Sequence, residues 1–305
     1  MVVKYFETKT AHLGYFERTT FKQGVWATVV GPSATDLADV AEQFNLNPTQ
    51  LAHVRDHEEL PRLEFADDVT YLFIRHAYTS AHGERVTAPL LLVLKNDALI
   101  IIIPRALAQE FTPPRATKTL RGTSLQMVEH VLNQYGIFLE EITHRIKTLR
   151  QSLHTHEISN QDLVSFVTLE EELNDFVSSL EPLSAIFQRL MLAHHFPLTA
   201  HETETLSDLI LKNQQLLSSS TTLLRGIESI RNAHGTIATN NLNRTMKTLT
   251  VAIVLITLPN VIFSMLGMNM SVPFSKESWS FPVTISLTFL LTFIVFIVAR
   301  KKKIF

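Results

Sequence analysis

Two long apolar stretches close to the C-terminus contrast with the mixed pattern before them. Residues 249–266 and 281–299 contain no charged side chain. The hydrocarbon core of a bilayer requires about 20 apolar residues per helix. Thr248 and Thr250 extend the first stretch, and Pro282 lies where the second begins. We therefore predict two membrane-spanning helices, at residues 249–266 and 281–299, joined by a loop at residues 267–280.

Apolar residues recur with a helical period through most of residues 125–248. We predict an antiparallel helical hairpin from residues 125–153 and 161–194. A third helix is expected to run unbroken from about residue 201 to residue 266, which is roughly 100 Å at about 1.5 Å per residue. It carries a seam of apolar or small residues spaced alternately by three and four, with a polar gap at Asn213. The seam consists of Leu206, Leu209, Leu216, Ser220, Leu223, Ile227, Ile230 and Ile237. A small monomer cannot bury such a helix alone, so we predict that copies of the chain pack it around a symmetry axis.

The first 112 residues alternate between short β-rich and helical segments. We predict a strand at residues 25–30, then a helix at residues 34–44 that Ser33 caps, and a short helix at residues 49–54. Further strands are predicted at residues 68–79, 89–94 and 98–104. The apolar run 99–103 is too short to span a membrane and is interpreted as a buried central strand.

Composition and charge limit the kinds of function that the chain can have. The chain has 305 residues, of which 46% are hydrophobic and none is cysteine. Disulfides, iron–sulfur clusters and thiolate zinc sites are therefore excluded. Residues 248–305 contain five basic and one acidic side chain, which leaves 22 basic and 28 acidic in residues 1–247. That mildly acidic part indicates an ordinary soluble surface or one that attracts cations, and no nucleic-acid partner is expected. No nucleotide loop, nucleophile motif or catalytic carboxylate pair is found, so we expect no enzyme activity.

The positive charges predict the orientation of the two spans. Arg244 and Lys247 precede the first span, and a basic run of residues 300–303 follows the second. The connecting loop has Lys276 beside Glu277, and Trp279 lies where an interfacial anchor is expected. Both termini are therefore predicted to lie in the cytoplasm. The N-terminus is too short and too polar for a signal peptide, so the soluble part should stay on the side where it is made.

The first span carries polar residues on one side. The positions that share this face are Asn243, Met246, Leu249, Ile253, Thr257, Asn260 and Ser264. A buried asparagine in lipid is costly unless it faces a partner or water. An alternation of polar and apolar rings is typical of a gated pore, whereas a simple hairpin anchor would not need it. Both interpretations, pore and anchor, remain open from the pattern alone.

Several segments carry a resemblance to a known family. They are Asn243-Arg244-Thr245-Met246-Lys247-Thr248-Leu249-Thr250, Gly267-Met268-Asn269, Leu60-Pro61-Arg62-Leu63-Glu64, Tyr71-Leu72-Phe73-Ile74, and Gly24 and Trp26 with Gly31-Pro32-Ser33. In this order and spacing they resemble the CorA family of magnesium and other divalent cation channels. The resemblance covers nearly the whole chain and is most specific in the C-terminal third.

The resemblance implies a fold and a domain organisation. The fold class is α+β, with an α/β/α sandwich and a long helical hairpin, followed by a stalk helix and two transmembrane helices. The expected divisions are a cytoplasmic domain (1–198), a stalk helix (199–248), a pore-lining span (249–266), an extracytoplasmic loop (267–280), an outer span (281–299) and a basic tail (300–305). Five copies are expected to form a homopentamer in the cell membrane, with the first spans lining the pore.

The resemblance also implies a transport function. The expected function is influx of magnesium down its electrochemical gradient, with cobalt or nickel as further transported ions. The expected selectivity filter is made by Gly267, Met268 and Asn269. No organic cofactor is expected. The chain departs from the family by having Leu266 and Met270 in place of the aromatic residues that flank the motif. The alternatives are a zinc transporter of the same superfamily and a non-transporting, membrane-anchored scaffold.

Gating in the family depends on cytoplasmic magnesium bound between protomers. Asp208 matches an acidic position of that site, and Glu129 matches a secondary one. The usual acidic pair is replaced by Ala52 and His53, so the candidate regulatory contacts are Asp208, His53, Asp56 and Glu129. A weaker or differently tuned response to magnesium is expected. His154, His156, His194, His195 and His201 form the only other metal-like pattern, and their spacing disfavours a structural zinc site.

Overall fold

The computed structural model describes residues 2–9, 14–18, 25–66, 68–95, 98–104, 117–155, 160–194, 196–267 and 277–301. The chain divides into two units, Met1–Glu228 and Ser229–Phe305. The boundary between the units lies inside one continuous helix, which contributes residues to both.

One sheet forms the centre of the first unit. Its strands are β1 (Val2–Lys9), β2 (Gly14–Arg18), β3 (Val25–Val30), β4 (Arg62–Ala66), β5 (Val69–Thr79), β6 (Arg85–Lys95) and β7 (Ala98–Ile103). Across the sheet they follow the order β2-β1-β3-β7-β6-β5-β4. β3 and β7 run parallel, and the other neighbouring pairs are antiparallel. Every residue of β7 is buried, which confirms the predicted central strand.

Helices cover both faces of the sheet. Helices α1 (Ala34–Phe44) and α2 (Pro48–Ala52) share one apolar cluster with the sheet residues Phe73 and Ile100. Helices α3 (Leu120–Thr155) and α4 (Asn160–Leu192) pack on the opposite face, where the Tyr135 hydroxyl donates to the Arg75 carbonyl. The predicted α/β/α arrangement with a long helical hairpin is therefore confirmed.

Residues next to its two ends account for where α1 begins and ends. The Ser33 hydroxyl accepts a hydrogen bond from the Asp36 amide at 3.2 Å, and the Asp36 carboxylate accepts one from the Ser33 amide at 2.9 Å. This capping box satisfies two amide groups at the helix start and holds the pKa of Asp36 below its usual value. Asn45 ends the helix in a left-handed conformation with φ 49°. Lys95 donates to the Phe44 and Asn45 carbonyls, which have no helical donor.

Three strands were not predicted, and one is longer than predicted. β1 and β2 precede the first predicted strand, and β4 lies at the sheet edge, where Arg62 and Glu64 interrupt the apolar pattern. β6 begins at Arg85 instead of residue 89 because its first residues pair with the end of β5. These elements are defined by hydrogen bonding to neighbouring strands, which the apolar pattern of a single segment does not show.

Arg62 organises the loop between α2 and β4. Its guanidinium lies 3.9 Å from the centre of the Phe73 ring and contacts the carboxylates of Glu59 and Glu64. Arg75 adds two hydrogen bonds to the same loop, to the carbonyls of His57 at 2.7 Å and Glu59 at 2.9 Å. The Pro-Arg-x-Glu and Tyr-x-Phe-Ile segments therefore have a structural role in this chain.

The predicted long helix is continuous. Helix α5 runs from Ala200 to Leu266 and spans 67 residues, and α6 spans Ser280–Lys301. The seam on α5, however, has a different partner from the one predicted. Leu206, Leu209 and Ile227 are buried within the single chain, and Asn213 donates to the Leu180 carbonyl of α4 at 3.0 Å. The first half of the seam packs inside the chain, so it carries no argument for self-association.

Candidate functional site

The predicted pore face of α5 is exposed in the single chain. Met246, Leu249 and Ile253 are 54%, 53% and 54% exposed, and the polar members of the set are exposed too. The full set is Asn243, Met246, Leu249, Ile253, Thr257, Asn260 and Ser264. No residue of this face is buried by the described part of its own chain, so the face is free to meet water, lipid or other copies.

The opposite side of the same stretch is covered. Val251 is buried, and Leu255, Leu258 and Ile262 are half-buried. With about 100° of rotation per residue, this covered side lies about half a turn from the predicted pore face. One helix thus presents two distinct sides along its apolar stretch, one packed and one free.

Helix α6 has a matching covered side. Thr288 and Ala299 are its buried residues. The number of positions between them equals the number between Val251 and Ile262 on the covered side of α5. Two antiparallel helices in contact would show this pattern. Thr284, Thr288 and Thr292 donate to the carbonyls one turn earlier, so their hydroxyls are satisfied within the helix.

Both α5 and α6 contain a stretch that is long and apolar enough to cross a membrane. Pro259 lies inside α5 and cannot donate to the Leu255 carbonyl, but the helix continues to Leu266.

The helix end at the predicted filter is partly described. The Gly267 amide donates to the carbonyls of Phe263 at 3.1 Å and Ser264 at 3.2 Å, which closes the last turn. Gly267 has no left-handed φ, and a Cβ there would make ordinary contacts, so the local backbone does not require glycine. Met268 and Asn269 lie outside the described residues.

The candidate regulatory residues lie apart, each with a local partner or in solvent. His53 Nδ1 lies 3.3 Å from the Glu59 carboxylate, and the Asp56 carboxylate accepts from the Glu58 amide at 3.0 Å. Gln126 donates to Glu129 at 2.8 Å, and Asp208 is exposed on α5. Among the described residues, no group of three or more histidine, cysteine or acidic side chains is arranged to hold a metal ion.

Glu129 and Asp208 nevertheless lie on adjacent helices. Thr119, which directly precedes α3, donates to Glu202 of α5, and Lys212 of α5 donates to Asn133 of α3. These contacts run in the same chain direction on both helices, so α3 and α5 are parallel here. Glu129 and Asp208 fall between them on their respective helices. Two of the four candidates therefore share one region of the surface.

The histidine pattern forms no described cluster. His201 is exposed and lies 3.9 Å from Glu204, and His194 is exposed as well. His156 and His195 lie outside the described residues, as does the side chain of His154.

The sequence pattern missed the buried polar groups that the fold brings together. His76 of β5 lies beside His130 of α3, with ring centres 5.9 Å apart. Its Nδ1 donates to the Ala77 carbonyl at 2.6 Å, whereas its buried Nε2 has no partner. Burial lowers the pKa of His76 to about 4 and also lowers that of His130. The apolar alternation of β5 was the only available signal, since a histidine in such a strand faces the core.

The comparisons with known proteins identify a family and a fold. The model of the CorA-like Mg²⁺ transporter protein family matches residues 21–301. The complete structure of the CorA magnesium transporter from Methanocaldococcus jannaschii aligns with a TM-score of 0.84 at 17% identity, covering 98% of each chain. The full-length CmaX protein aligns with a TM-score of 0.74 at 14% identity, covering 97% of each chain.

A more distant likeness is limited to the soluble part. The cytoplasmic domain of ZntB from Vibrio parahaemolyticus aligns with a TM-score of 0.51 at 13% identity, covering 75% of this chain and 98% of that domain. No curated protein sequence matches the chain. At these identities the structural likenesses establish the fold.

Proposed function

Because the chain belongs to the CorA-like Mg²⁺ transporter family and is therefore a membrane transporter of divalent cations, we propose that it forms a homopentameric channel for magnesium influx. The pore would be lined by the exposed face of α5, from Asn243 to Ser264. The observation that carries this proposal is the half-turn separation between that face and the covered side that includes Val251. A hairpin anchor has no need for a second, polar face that its own chain leaves open.

A second observation supports assembly from several copies. Between residues 229 and 250, α5 is exposed on nearly all sides, and Ile237, Leu242 and Met246 are among the exposed residues. A helix that is exposed all round and presents apolar side chains needs partners to be stable. Copies of the same helix around one axis would supply them.

The proposed filter suits the chemistry of magnesium. Mg²⁺ is small and loses its water reluctantly, so a filter can bind the hydrated ion. Five Asn269 amide oxygens would accept hydrogen bonds from its water shell, and neutral oxygens release the ion more readily than a ring of carboxylates. Asn260 and Thr257 would add polar rings deeper in the pore. The exposed side chains of Met246 and Leu249 would form an apolar constriction that closes by excluding water.

The driving force is the membrane potential. With both termini in the cytoplasm, two positive charges moving inward gain about 4.6 kcal/mol per 100 mV. Internal divalent cation would close the pore through Asp208, His53, Asp56 and Glu129. Since these residues do not meet within one chain, a complete site would have to form between copies.

Growth at low magnesium tests the filter. In cells that lack magnesium uptake, the wild-type chain should restore growth and Asn269→Ala should not. Asn174→Ala is the matched control, because it makes the same change at an exposed position of α4, away from the apolar segments. Equal growth of wild type and Asn269→Ala would refute the filter assignment. Zinc flux without magnesium flux would favour the zinc transporter, and a membrane-inserted oligomer with neither flux would favour the scaffold.

Flux at rising internal magnesium tests the gate. Inhibition should weaken in Asp208→Ala and persist in Glu204→Ala, which removes an exposed carboxylate one turn away on the same helix. An unchanged response in Asp208→Ala would remove Asp208 from the regulatory site.

A further inference from the structure

Four basic side chains of the second unit have no partner. Arg244 and Lys247 of α5 and Arg300 and Lys301 of α6 are exposed, and none has an ion pair or hydrogen bond through its side chain within the described part of the chain. We call these four residues the basic cluster. In the sequence, Lys302 and Lys303 follow directly.

The packing of the two helices brings the cluster to one end. Lys247 lies one turn before Val251, and Arg300 directly follows Ala299. Among the described residues of this unit, Val251 and Ala299 are the buried apolar ones, and α5 and α6 are its described helices. Contact between the two helices at this level would account for the burial of both side chains. Such contact would place Lys247 beside Arg300, with Arg244 and Lys301 next to them.

No acidic group of the unit neutralises the cluster. Between residues 229 and 305 the sequence has one carboxylate, Glu277, which precedes the opposite end of α6. The cluster also borders an exposed apolar surface that includes Ile297 and Val298. Exposed apolar surface that ends at a group of unpaired cations matches the boundary between lipid chains and headgroups.

We propose that the basic cluster binds the phosphate groups of anionic phospholipids at that boundary. Arg244 and Arg300 can each hold a phosphate through two parallel hydrogen bonds, and the lysines add point charges. The occupant is a lipid and not free phosphate, because the cluster adjoins the apolar surface on which acyl chains lie. This binding requires the two helices to span the bilayer, but it does not require the channel activity proposed above.

Lipid binding to the purified full chain tests the proposal. In neutral detergent, phosphatidylglycerol, phosphatidylcholine or inorganic phosphate is titrated and bound lipid is counted by native mass spectrometry. Phosphatidylglycerol should bind more tightly than phosphatidylcholine. Replacing two cations, as Arg300→Gln with Lys301→Gln, should weaken it about thirty-fold, since each basic residue near a membrane surface contributes about a factor of five to six. Arg150→Gln with Lys147→Gln is the matched control, because both residues are exposed on α3 outside the apolar segments.

Each outcome either supports or overturns the proposal. Preferential phosphatidylglycerol binding that falls in the cluster variant and persists in the control supports it. Equal binding of the two lipids, an unchanged cluster variant, or full displacement of the lipid by millimolar inorganic phosphate overturns it. If the cluster variant does not fold, raising the salt concentration in the wild-type titration gives the same decision, because binding through these charges must weaken as salt screens them. Loss of transport with retained lipid binding would contradict the channel proposal alone.

Discussion

Replacing Asn213 by leucine should stabilise the protein. Asn213 is 0% exposed and lies in the α5 seam between Leu209 and Leu216. Its Nδ2 donates to the Leu180 carbonyl at 3.0 Å and to the Ser184 hydroxyl at 3.1 Å, while its buried Oδ1 has no partner. The residue therefore combines two satisfied hydrogen bonds with one unsatisfied acceptor.

Three contributions decide how Asn213→Leu changes the free energy of unfolding. They are of comparable size but differ in sign. Two lost hydrogen bonds cost about 2 kcal/mol together, and removing the unsatisfied acceptor returns about 2 kcal/mol. Burying a leucine side chain of similar size adds about 2 kcal/mol. Ser184 is only half-buried and can bond to water instead. We expect Asn213→Leu to raise the free energy of unfolding by about 2 kcal/mol.

The assay is chemical unfolding of the full chain in detergent, followed by circular dichroism. Asn213→Asp is the matched variant, since it keeps the shape and replaces the donor by a charge facing the Leu180 carbonyl. It should cost about 3 kcal/mol at neutral pH. Burial would raise the pKa of the introduced carboxyl above its unfolded value, so the loss should diminish as pH falls through the folded pKa. Destabilisation by Asn213→Leu would refute the reasoning and indicate that Oδ1 is satisfied, for example by a buried water.

Three further predictions test separate features. Ser33→Ala should lower the free energy of unfolding by about 1 kcal/mol through loss of the capping box, measured by thermal unfolding. Glu172 is buried and pairs with Arg145 at 3.0 Å, so Glu172→Ala should cost about 3 kcal/mol, and Glu172→Gln should cost less because it still accepts a hydrogen bond from the Arg85 amide. Because burial lowers the pKa of His76 to about 4, stability should fall by about 3 kcal/mol as pH drops from 6.5 to 4. That pH-dependent loss should be absent in His76→Gln; its persistence would assign the loss to another group.

The elements that the sequence predicts well have start and stop signals in the residues next to their ends. The boundaries of α1 follow from Ser33 at its start and Asn45 at its end, and both signals act within a few residues. Most of the extent of α5 follows from the absence of proline between Pro197 and Pro259. By contrast, β4 lies at the sheet edge and pairs only with β5, so its charged residues mask the alternation. Edge strands such as β2 and β4 are recognised by the strand with which they pair, and their own residues give a weak signal.

The candidate site also has features that the sequence predicts and features that it does not. Which residues share the exposed face of α5 that we propose as the pore lining depends on helical periodicity alone, and so the sequence predicts that grouping. A metal site depends on which side chains meet, and His53, Asp56 and Asp208 come from separate segments that each make other contacts or face solvent. Periodicity also does not reveal which helix covers a seam, and for this reason the partner predicted for Leu206 and Leu209 was wrong.

The burial of that seam changes which part of α5 supports self-association. Up to Ile227 the helix has partners in its own chain, including the contact of Asn213 with α4. Between residues 232 and 250 most side chains of α5 are exposed, and they include Ile237 and Leu242 in a stretch with no charged side chain between residues 232 and 243. Solvent-exposed helices are normally covered with charged residues. An uncharged, exposed stretch directly before the proposed pore face is therefore the part of the chain that best supports the proposed contact with other copies.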